Sequence, residues 1–148
     1  MKHHWLWAGM LAAFSLLVLI SLGAGFWGGG NSLTHWTHRM MSPVCHQMPD
    51  RSFILGGEQM AVNTRCFGVF TGFLAGWLVI PVVGRYTVEK RWPLTLLVVA
   101  VVVQIIDVSG NIFQIWENTN LSRFITGTLP GFAISMMLAD RFVKKTEN

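Results

Sequence analysis

A short polar segment concentrates the side chains that could do chemistry. The stretch "SPVCHQMPDRSF", residues 42–53, contains Cys45, His46 and Arg51, and it lies between two long apolar runs. The chain has two cysteines, and the second, Cys66, opens the apolar run that follows. Thiols at these positions could form a disulfide, ligate a metal ion or act as a nucleophile, and they could also simply be packed.

A disulfide between Cys45 and Cys66 is the first interpretation. Such bridges persist where the compartment is oxidising, so this one would require an extracytoplasmic location. It would fasten the polar segment to the start of the next apolar helix. It would also restrict the unfolded chain, with an effect on the order of 3 kcal/mol.

A metal site is the second interpretation, with Cys45, His46 and Cys66 as ligands. Thiolate and imidazole suit zinc or copper, and His35 and His38 would form a further pair on one helix face. Thioethers near the segment would favour Cu(I); they belong to Met40, Met41, Met48 and Met60. Against this interpretation, the sequence has no paired C-x-x-C, and adjacent side chains such as those of Cys45 and His46 point in different directions.

A reactive thiolate is the third interpretation. Arg51 lies shortly after Cys45 and Arg65 directly precedes Cys66, and a nearby cation lowers the pKa of a thiol. No Cys-His-Asn arrangement or C-x-x-C motif indicates a particular enzyme. A membrane-embedded enzyme that acts on a lipid, or in thiol-disulfide exchange, is thus the alternative function.

The composition indicates that lipid surrounds this chemistry. The chain of 148 residues is 52% hydrophobic and 12% charged, with a mean hydropathy of +0.48. A soluble domain carries about 25% charged residues. The net charge of +4 fits the retention of Lys and Arg on the cytoplasmic side of a membrane. Basic residues are not interleaved with aromatic residues as a nucleic-acid surface requires, so we expect no nucleic-acid partner.

Apolar segments predict helices that cross a bilayer core of about 30 Å. We expect an all-α integral membrane protein, with four transmembrane helices in one membrane domain over 1–148 and a structured extracytoplasmic loop over 28–64. The predicted helices cover about 5–27, 66–84, 92–112 and 123–141. A cleaved signal peptide is the alternative for the first helix, but its apolar run exceeds a typical h-region of about 7–15 residues.

Glycines and prolines predict how these helices pack and bend. Gly68, Gly72 and Gly76 recur every fourth residue, which puts them on one helix face where a neighbouring helix could approach closely. Pro81 is expected to kink or end the second helix, and Pro130 to kink or partly unwind the fourth. A short amphipathic helix is predicted around "SLTHWTHRMM", with its tryptophan at the membrane interface.

The basic residues predict the orientation of the helices. In the four-helix arrangement, one side receives Lys2, Arg85, Lys90, Arg91, Arg141, Lys144 and Lys145. The other side receives Arg39, Arg51, Arg65 and Arg123. Because the larger basic group stays on the cytoplasmic side, we expect a multi-pass protein of the cell membrane with both termini cytoplasmic.

Asp107 is the single acidic residue in the interior of a predicted membrane segment, since Asp140 lies at the end of the fourth one. An ionised carboxylate there is costly unless it is paired, so we expect Arg65 or Arg123 as its partner, or else contact with interfacial water. Asn111 should lie at a corresponding depth. These residues predict a polar pocket on the outer face, roofed by the segment around Cys45.

The stretch "CHQMPDRSFILGGEQMAVNTRCFGVFTG", residues 45–72, resembles the signature of a family of small prokaryotic membrane proteins catalogued as domain of unknown function 2085. The matching positions are Cys45, His46, Pro49, Arg51, Ser52, Gly57, Arg65, Cys66, Gly68 and Gly72. "SRFITG", residues 122–127, resembles a later element of that family. Many members have a further cysteine where this chain has Asn63. The resemblance implies a membrane protein but no particular activity.

The predicted function is binding at the outward-facing pocket. Its residues are Cys45, His46, Arg51, Ser52, Arg65, Cys66, Asp107, Asn111 and Arg123. Arginines near one level suit a phosphate-like ligand, because guanidinium pairs bidentately with such oxygens. We expect a small anion, a lipid headgroup or a metal ion as the ligand. The expected partners are the bilayer and, for any transport, a homo-oligomer or a second membrane protein.

Overall fold

The structure, a computed structural model, describes residues 4–87 and 92–144. Its helices are α1 (His4–Ser21), α2 (Ala24–Trp27), α3 (Trp36–Met41), α4 (Thr64–Thr87), α5 (Trp92–Ile112) and α6 (Asn120–Lys144). A two-stranded ribbon pairs β1 (Ile54–Leu55) with β2 (Glu58–Gln59), and 3-10 turns cover Ser32–Thr34 and Pro49–Arg51. Of the basic residues that predict the orientation, Lys2, Lys90, Arg91 and Lys145 lie outside the described residues. The orientation therefore stays a prediction.

Long apolar helices confirm the class of membrane protein. The stretches Thr64–Val82, Trp92–Ile112 and Asn120–Leu138 are each long and apolar enough to cross a membrane. A shorter apolar helix, Trp5–Ser21, precedes them. α5 leaves large apolar side chains exposed along much of its length, as a surface in contact with lipid requires.

The first helix ends earlier than predicted. We expected it to run to residue 27, but α1 ends at Ser21 and α2 is a separate short helix. Gly23 between them has a φ of +74°, a region that favours glycine. A Cβ there would lie 2.8 Å from the backbone nitrogen of Ala61. The Ser21 carbonyl accepts a hydrogen bond from that nitrogen at 3.1 Å, so the chain turns here to receive the segment before α4.

The glycine stripe of α4 packs directly on α6, as its spacing predicts. A Cβ at Gly68 would collide with the Phe124 carbonyl oxygen, and one at Gly72 with that of Thr128. The contact is reciprocal, because a Cβ at Gly127 of α6 would collide with the backbone of Arg65. Backbones this close gain dispersion contacts along the whole interface, which compensates for the absence of a hydrophobic driving force within lipid.

A second contact sets α1 against α4. Phe14 stacks on Phe73 with ring centroids 5.3 Å apart, and it meets the Trp77 ring edge-on at 5.8 Å. The Trp77 indole donates to the Trp7 carbonyl at 2.9 Å. Since the start of α1 lies beside Trp77 and its end beside the residues before α4, the two helices are antiparallel.

Neither proline interrupts its helix. α4 continues past Pro81 to Thr87, so it does not end at the proline, and α6 is helical through Pro130, so it is not unwound there. The kinks predicted at both prolines stay predictions. A proline removes the N–H that would bind the carbonyl four residues earlier, here that of Thr126. In the amide orientation that satisfies both groups, Gln104 of α5 donates to this carbonyl at 3.0 Å. A neighbouring helix thus replaces the missing bond.

The segment between α2 and α4 departs from a purely helical fold, because it contains the β1–β2 ribbon. The helix predicted around residues 32–41 is present as a 3-10 turn followed by α3, and Trp36 is 46% exposed. Glutamine side chains hold the segment in place. Gln47 donates to the carbonyls of His38 (2.7 Å) and Ala61 (2.9 Å), and Gln59 donates to the carbonyl of Gln47 at 2.8 Å.

Candidate functional site

An ion pair joins Arg65, in the first turn of α4, to Asp107 near the end of α5. It confirms one of the two partners predicted for Asp107. The side chains are 27% and 13% exposed, respectively, so the pair is shielded from solvent without being sealed. The same carboxylate oxygen accepts from the Asn118 amide at 2.8 Å. In the amide orientation described above, the side-chain oxygen of Gln104 accepts a hydrogen bond from Arg65 Nε at 3.3 Å. This bond helps to fix the position of the guanidinium.

Arg123, in the first turn of α6, lies beside this pair. Its guanidinium donates to the Asp50 carbonyl at 3.5 Å and to the Asn120 side-chain oxygen at 3.3 Å. The charges of Arg51 and Arg65 repel it, and those of Asp50 and Asp107 attract it. We call Arg51, Arg65 and Arg123 the arginine cluster. Within this set, three positive charges face two negative ones.

The carboxylates differ in how much positive charge they neutralise. Asp107 is bound directly to Arg65. Asp50 lies 3.4 Å from Arg51 at the surface, where the side chains are 65% and 46% exposed, respectively. Exposed pairs of this kind are worth less than about 1 kcal/mol and are screened by salt. Among the described residues, no carboxylate lies within ion-pair distance of Arg123.

The two cysteines also lie together. Both are free thiols; Cys45 is buried and Cys66 is partly exposed. We call them the thiol pair. The backbone N–H of Asn63 donates to Cys45 Sγ at 3.1 Å. The pKa of the Cys45 thiol lies below its usual range, chiefly because the Cys66 thiol donates to the ionised sulfur. The N–H groups of Asn63 and Gln47 act in the same direction, and burial opposes them.

The thiol pair and the arginine cluster face different neighbours. Apolar side chains surround the thiols, namely those of Ile20, Met41, Ala61, Val62, Phe67 and Phe70. These come largely from α1, α3 and the residues before α4, whereas Arg65 contacts α5. Consecutive residues of a helix point about 100° apart, so Arg65 and Cys66 leave α4 in different directions. We therefore describe the predicted binding residues as two groups, and the single pocket stays a prediction.

Polar contacts nevertheless connect the two groups. The Ser52 hydroxyl lies 3.2 Å from the Asn63 side-chain oxygen, and Asn63 in turn donates its N–H to Cys45. The Ser52 carbonyl accepts from Asn120 at 3.1 Å, and Asn120 accepts from Arg123. Ser52 is 3% exposed, which makes it a buried link between the groups.

The predicted metal site gains no support. Within residues 4–87 and 92–144, no group of three or more His, Cys, Asp or Glu side chains is placed to hold a metal ion. His46 is exposed, although it lies next to Cys45 in the chain. His35 uses its ring to cap α3, with Nδ1 2.7 Å from the Thr37 hydroxyl. His38 is buried, and neither of its ring nitrogens has a hydrogen-bond partner among the described residues.

Asn111 lies one helical turn after Asp107 on α5. Its amide donates to the Trp116 carbonyl at 3.4 Å. The Trp116 ring in turn packs on Gly110, where a Cβ would collide with it. Asn111 lines a shallow depression with Gln114, Trp116 and Glu117, and it makes no described contact with the arginine cluster. Its hydrogen bond spans the turn after α5, and a part in binding stays a prediction.

A family model described as "Predicted membrane protein (DUF2085)" matches residues 45–137. The matched stretch contains the thiol pair, the arginine cluster and the packed glycines. The chain belongs to this family. An uncharacterised protein of Methanocaldococcus jannaschii is 35% identical over 100 residues, which are 66% of this chain and 62% of that protein. One of Methanothermobacter thermautotrophicus is 31% identical over 98 residues, covering 64% of this chain and 83% of that protein. No solved structure matches.

Several residues important to both groups escaped the sequence analysis. They are neutral amides: Gln47, Gln59, Gln104, Asn118 and Asn120. Burying a carboxylate in an apolar segment costs free energy unless a cation pairs with it, so its partner can be predicted. A neutral amide has no such requirement, so its contacts cannot be predicted in the same way. The one available hint was the density of Gln and Asn in the polar segments that precede α4 and α6.

Proposed function

We propose that this membrane protein binds a phosphate-bearing anion at the arginine cluster, with the phosphate of a lipid headgroup as the preferred source. The observation that carries the proposal is the environment of Arg123. Its guanidinium faces the charges of two other arginines, yet the oxygens that it contacts belong to a carbonyl and an amide. A partly buried cation in this position is stabilised when an anion joins it.

Electrostatics favours phosphate at this position. Asp107 neutralises Arg65, but the exposed pair of Asp50 and Arg51 neutralises little charge, so positive charge remains around Arg123. Phosphate oxygens accept charge-assisted hydrogen bonds from guanidinium groups in a bidentate geometry. The N-terminal turns of α4 and α6, which carry Arg65 and Arg123, add the positive ends of two helix dipoles.

The position along the helices favours a lipid headgroup. Arg65 and Arg123 lie in the first turns of two membrane-crossing helices, and Asp107 lies near the end of a third. Helix ends lie at the level of the headgroups when the helices cross the hydrocarbon core. A lipid phosphate could reach the cluster there without leaving the bilayer.

We also propose that α1 makes a fourth crossing. Its 18 residues span about 27 Å, close to the bilayer core of about 30 Å, and α2 extends the apolar run. With α1 antiparallel to α4, both termini lie on one side. The excess of basic residues there supports a cytoplasmic location for the termini and an outward-facing cluster.

Native mass spectrometry of the purified protein in a non-ionic detergent tests the proposal. We expect phosphatidylglycerol to remain bound, and diacylglycerol, which lacks the phosphate, to dissociate. Arg123→Gln should weaken the binding about tenfold, because one charge-assisted contact is worth about 1.5 kcal/mol. Arg39→Gln is the matched control, since Arg39 is exposed on α3 and its loss should leave binding unchanged.

A competition arm separates the two sources of phosphate. If inorganic phosphate binds with the same dependence on Arg123 and phosphatidylglycerol does not, the ligand is a free anion. If phosphatidylglycerol binds and resists displacement by phosphate, the ligand is a lipid. If neither binds, or if Arg123→Gln and Arg39→Gln have equal effects, the proposal is wrong.

A further inference from the structure

The thiol pair lies outside the arginine cluster, and anion binding makes no use of it. Its two side chains pack in one apolar cluster although the residues are distant in the chain, and the sequence contains no other cysteine. Cys66 is fixed in the first turn of α4. Cys45 is held by its N–H, which donates to the Met41 carbonyl at 3.0 Å, and by the Asn63 N–H on its sulfur.

These contacts make the two sulfurs unequal. The Cys45 sulfur receives hydrogen bonds from a thiol and from backbone N–H groups, all of which stabilise a thiolate. Cys66 is the donor in this pair. An ionised thiol beside a protonated one is the arrangement in which the first attacks a disulfide and the second resolves the product.

The backbone around Cys45 can shift slightly, whereas Cys66 is held in a helix. Residues 42–48, around Cys45, form turns and irregular backbone. His46 and Val44 on either side are exposed, so Cys45, itself buried, lies directly beneath the surface. A disulfide needs the sulfurs at about 2.05 Å, which is closer than any hydrogen-bonded contact. The irregular backbone can supply that shift, while α4 holds Cys66 still.

We propose that Cys45 and Cys66 form a reversible dithiol-disulfide couple, in which Cys45 is the attacking thiolate and the oxidant is a disulfide-bearing molecule. The Cys45 thiolate attacks one sulfur of the external disulfide and releases the other as a thiolate. The Cys66 thiol transfers its proton to that leaving group, and its sulfur then attacks Cys45. The second external sulfur leaves as a thiolate. Two electrons pass from the thiol pair to the oxidant, and the reverse steps regenerate the dithiol.

A redox titration of the wild-type protein tests the couple without any substitution. The protein in detergent is equilibrated in glutathione buffers of increasing oxidised fraction, quenched with acid and alkylated with N-ethylmaleimide. Intact mass then counts the free thiols. We expect two maleimides per chain in reduced glutathione, none in oxidised glutathione, and the same curve when the titration is run backwards.

Three results would overturn the inference. Two free thiols at every glutathione ratio would mean that the cysteines are only packed. A bond that survives full reduction in the folded protein would mean a permanent link. Disulfides between two chains, visible as a dimer without reductant, would mean that the pair does not react internally.

A second measurement tests which of the two thiols attacks first. In the reduced protein, the pH midpoint for alkylation by iodoacetamide, followed by peptide mapping, should be lower at Cys45 than at Cys66. Cys66→Ala should raise the Cys45 midpoint, because it removes the side-chain donor that stabilises the Cys45 thiolate. Equal midpoints for the two thiols, or a lower midpoint at Cys66, would contradict the assignment of Cys45 as the nucleophile.

Discussion

At the scale of single residues, the Arg65–Asp107 pair shows how an apolar surrounding dictates structure. A charge at this depth is costly, so each member requires the other, and the Asn118 and Gln104 amides complete their hydrogen bonds. The partner of Asp107 was predictable because few cations lie at its level. The amides were not, since a neutral side chain can satisfy its groups in many places.

Asp107→Asn should therefore destabilise the protein by about 2 kcal/mol, because Arg65 would be left partly buried without its counter-charge. Asp50→Asn is the matched control. It removes a carboxylate from an exposed pair and should cost less than about 0.5 kcal/mol. Thermal unfolding in detergent would measure both losses of stability. Equal losses would show that the buried ion pair stabilises the protein no more than the exposed one.

His38 makes stability depend on pH. Burial, followed by the nearby charge of His35, lowers the pKa of its imidazole from 6.5. The unfolded chain therefore binds a proton at a higher pH than the folded one does, and stability falls as the pH drops below about 6.5. We expect His38→Leu to flatten this dependence between pH 7 and pH 5, and exposed His46→Gln to leave it unchanged. Parallel curves for wild type and His38→Leu in thermal unfolding would contradict this.

At the scale of elements, the contact between α4 and α6 positions the arginines. The glycine spacing predicted that a helix would approach this face, but it could not show which helix. The early end of α1 was less predictable, because the apolar run continues past Gly23 and only the contact with Ala61 reveals the turn. Helical periodicity could have predicted that Arg65 and Cys66 point in different directions, since they are consecutive residues of one helix.

Gly72→Ala tests this interface. The added Cβ would press on the Thr128 carbonyl and force α4 and α6 apart, with an expected loss of about 2 kcal/mol. Gly9→Ala in α1 is the matched control, because nothing lies within 4 Å of a Cβ there. It should be neutral or slightly stabilising through helix propensity. If the two variants unfold at the same temperature, the helices are not in close contact at Gly72.

At the scale of the whole molecule, the helices place two polar groups at one end of an apolar bundle. The class of membrane protein followed from composition, because a chain with so few charges cannot cover itself with polar surface. The hydrogen bonds of Ser52 and Asn120 that connect the thiol pair to the arginine cluster could not be predicted from composition. They depend on how the segment before α4 folds over the ends of α4 and α6.

The most direct measurement of the central claim is an experimental structure of the protein in a bilayer disc that contains phosphatidylglycerol. We expect a phosphate group with oxygens about 3 Å from the Arg123 guanidinium, on the side that faces Arg51. The account would be contradicted if the Arg123 guanidinium instead formed a closed ion pair with the Asp50 carboxylate and lipid phosphates lay elsewhere.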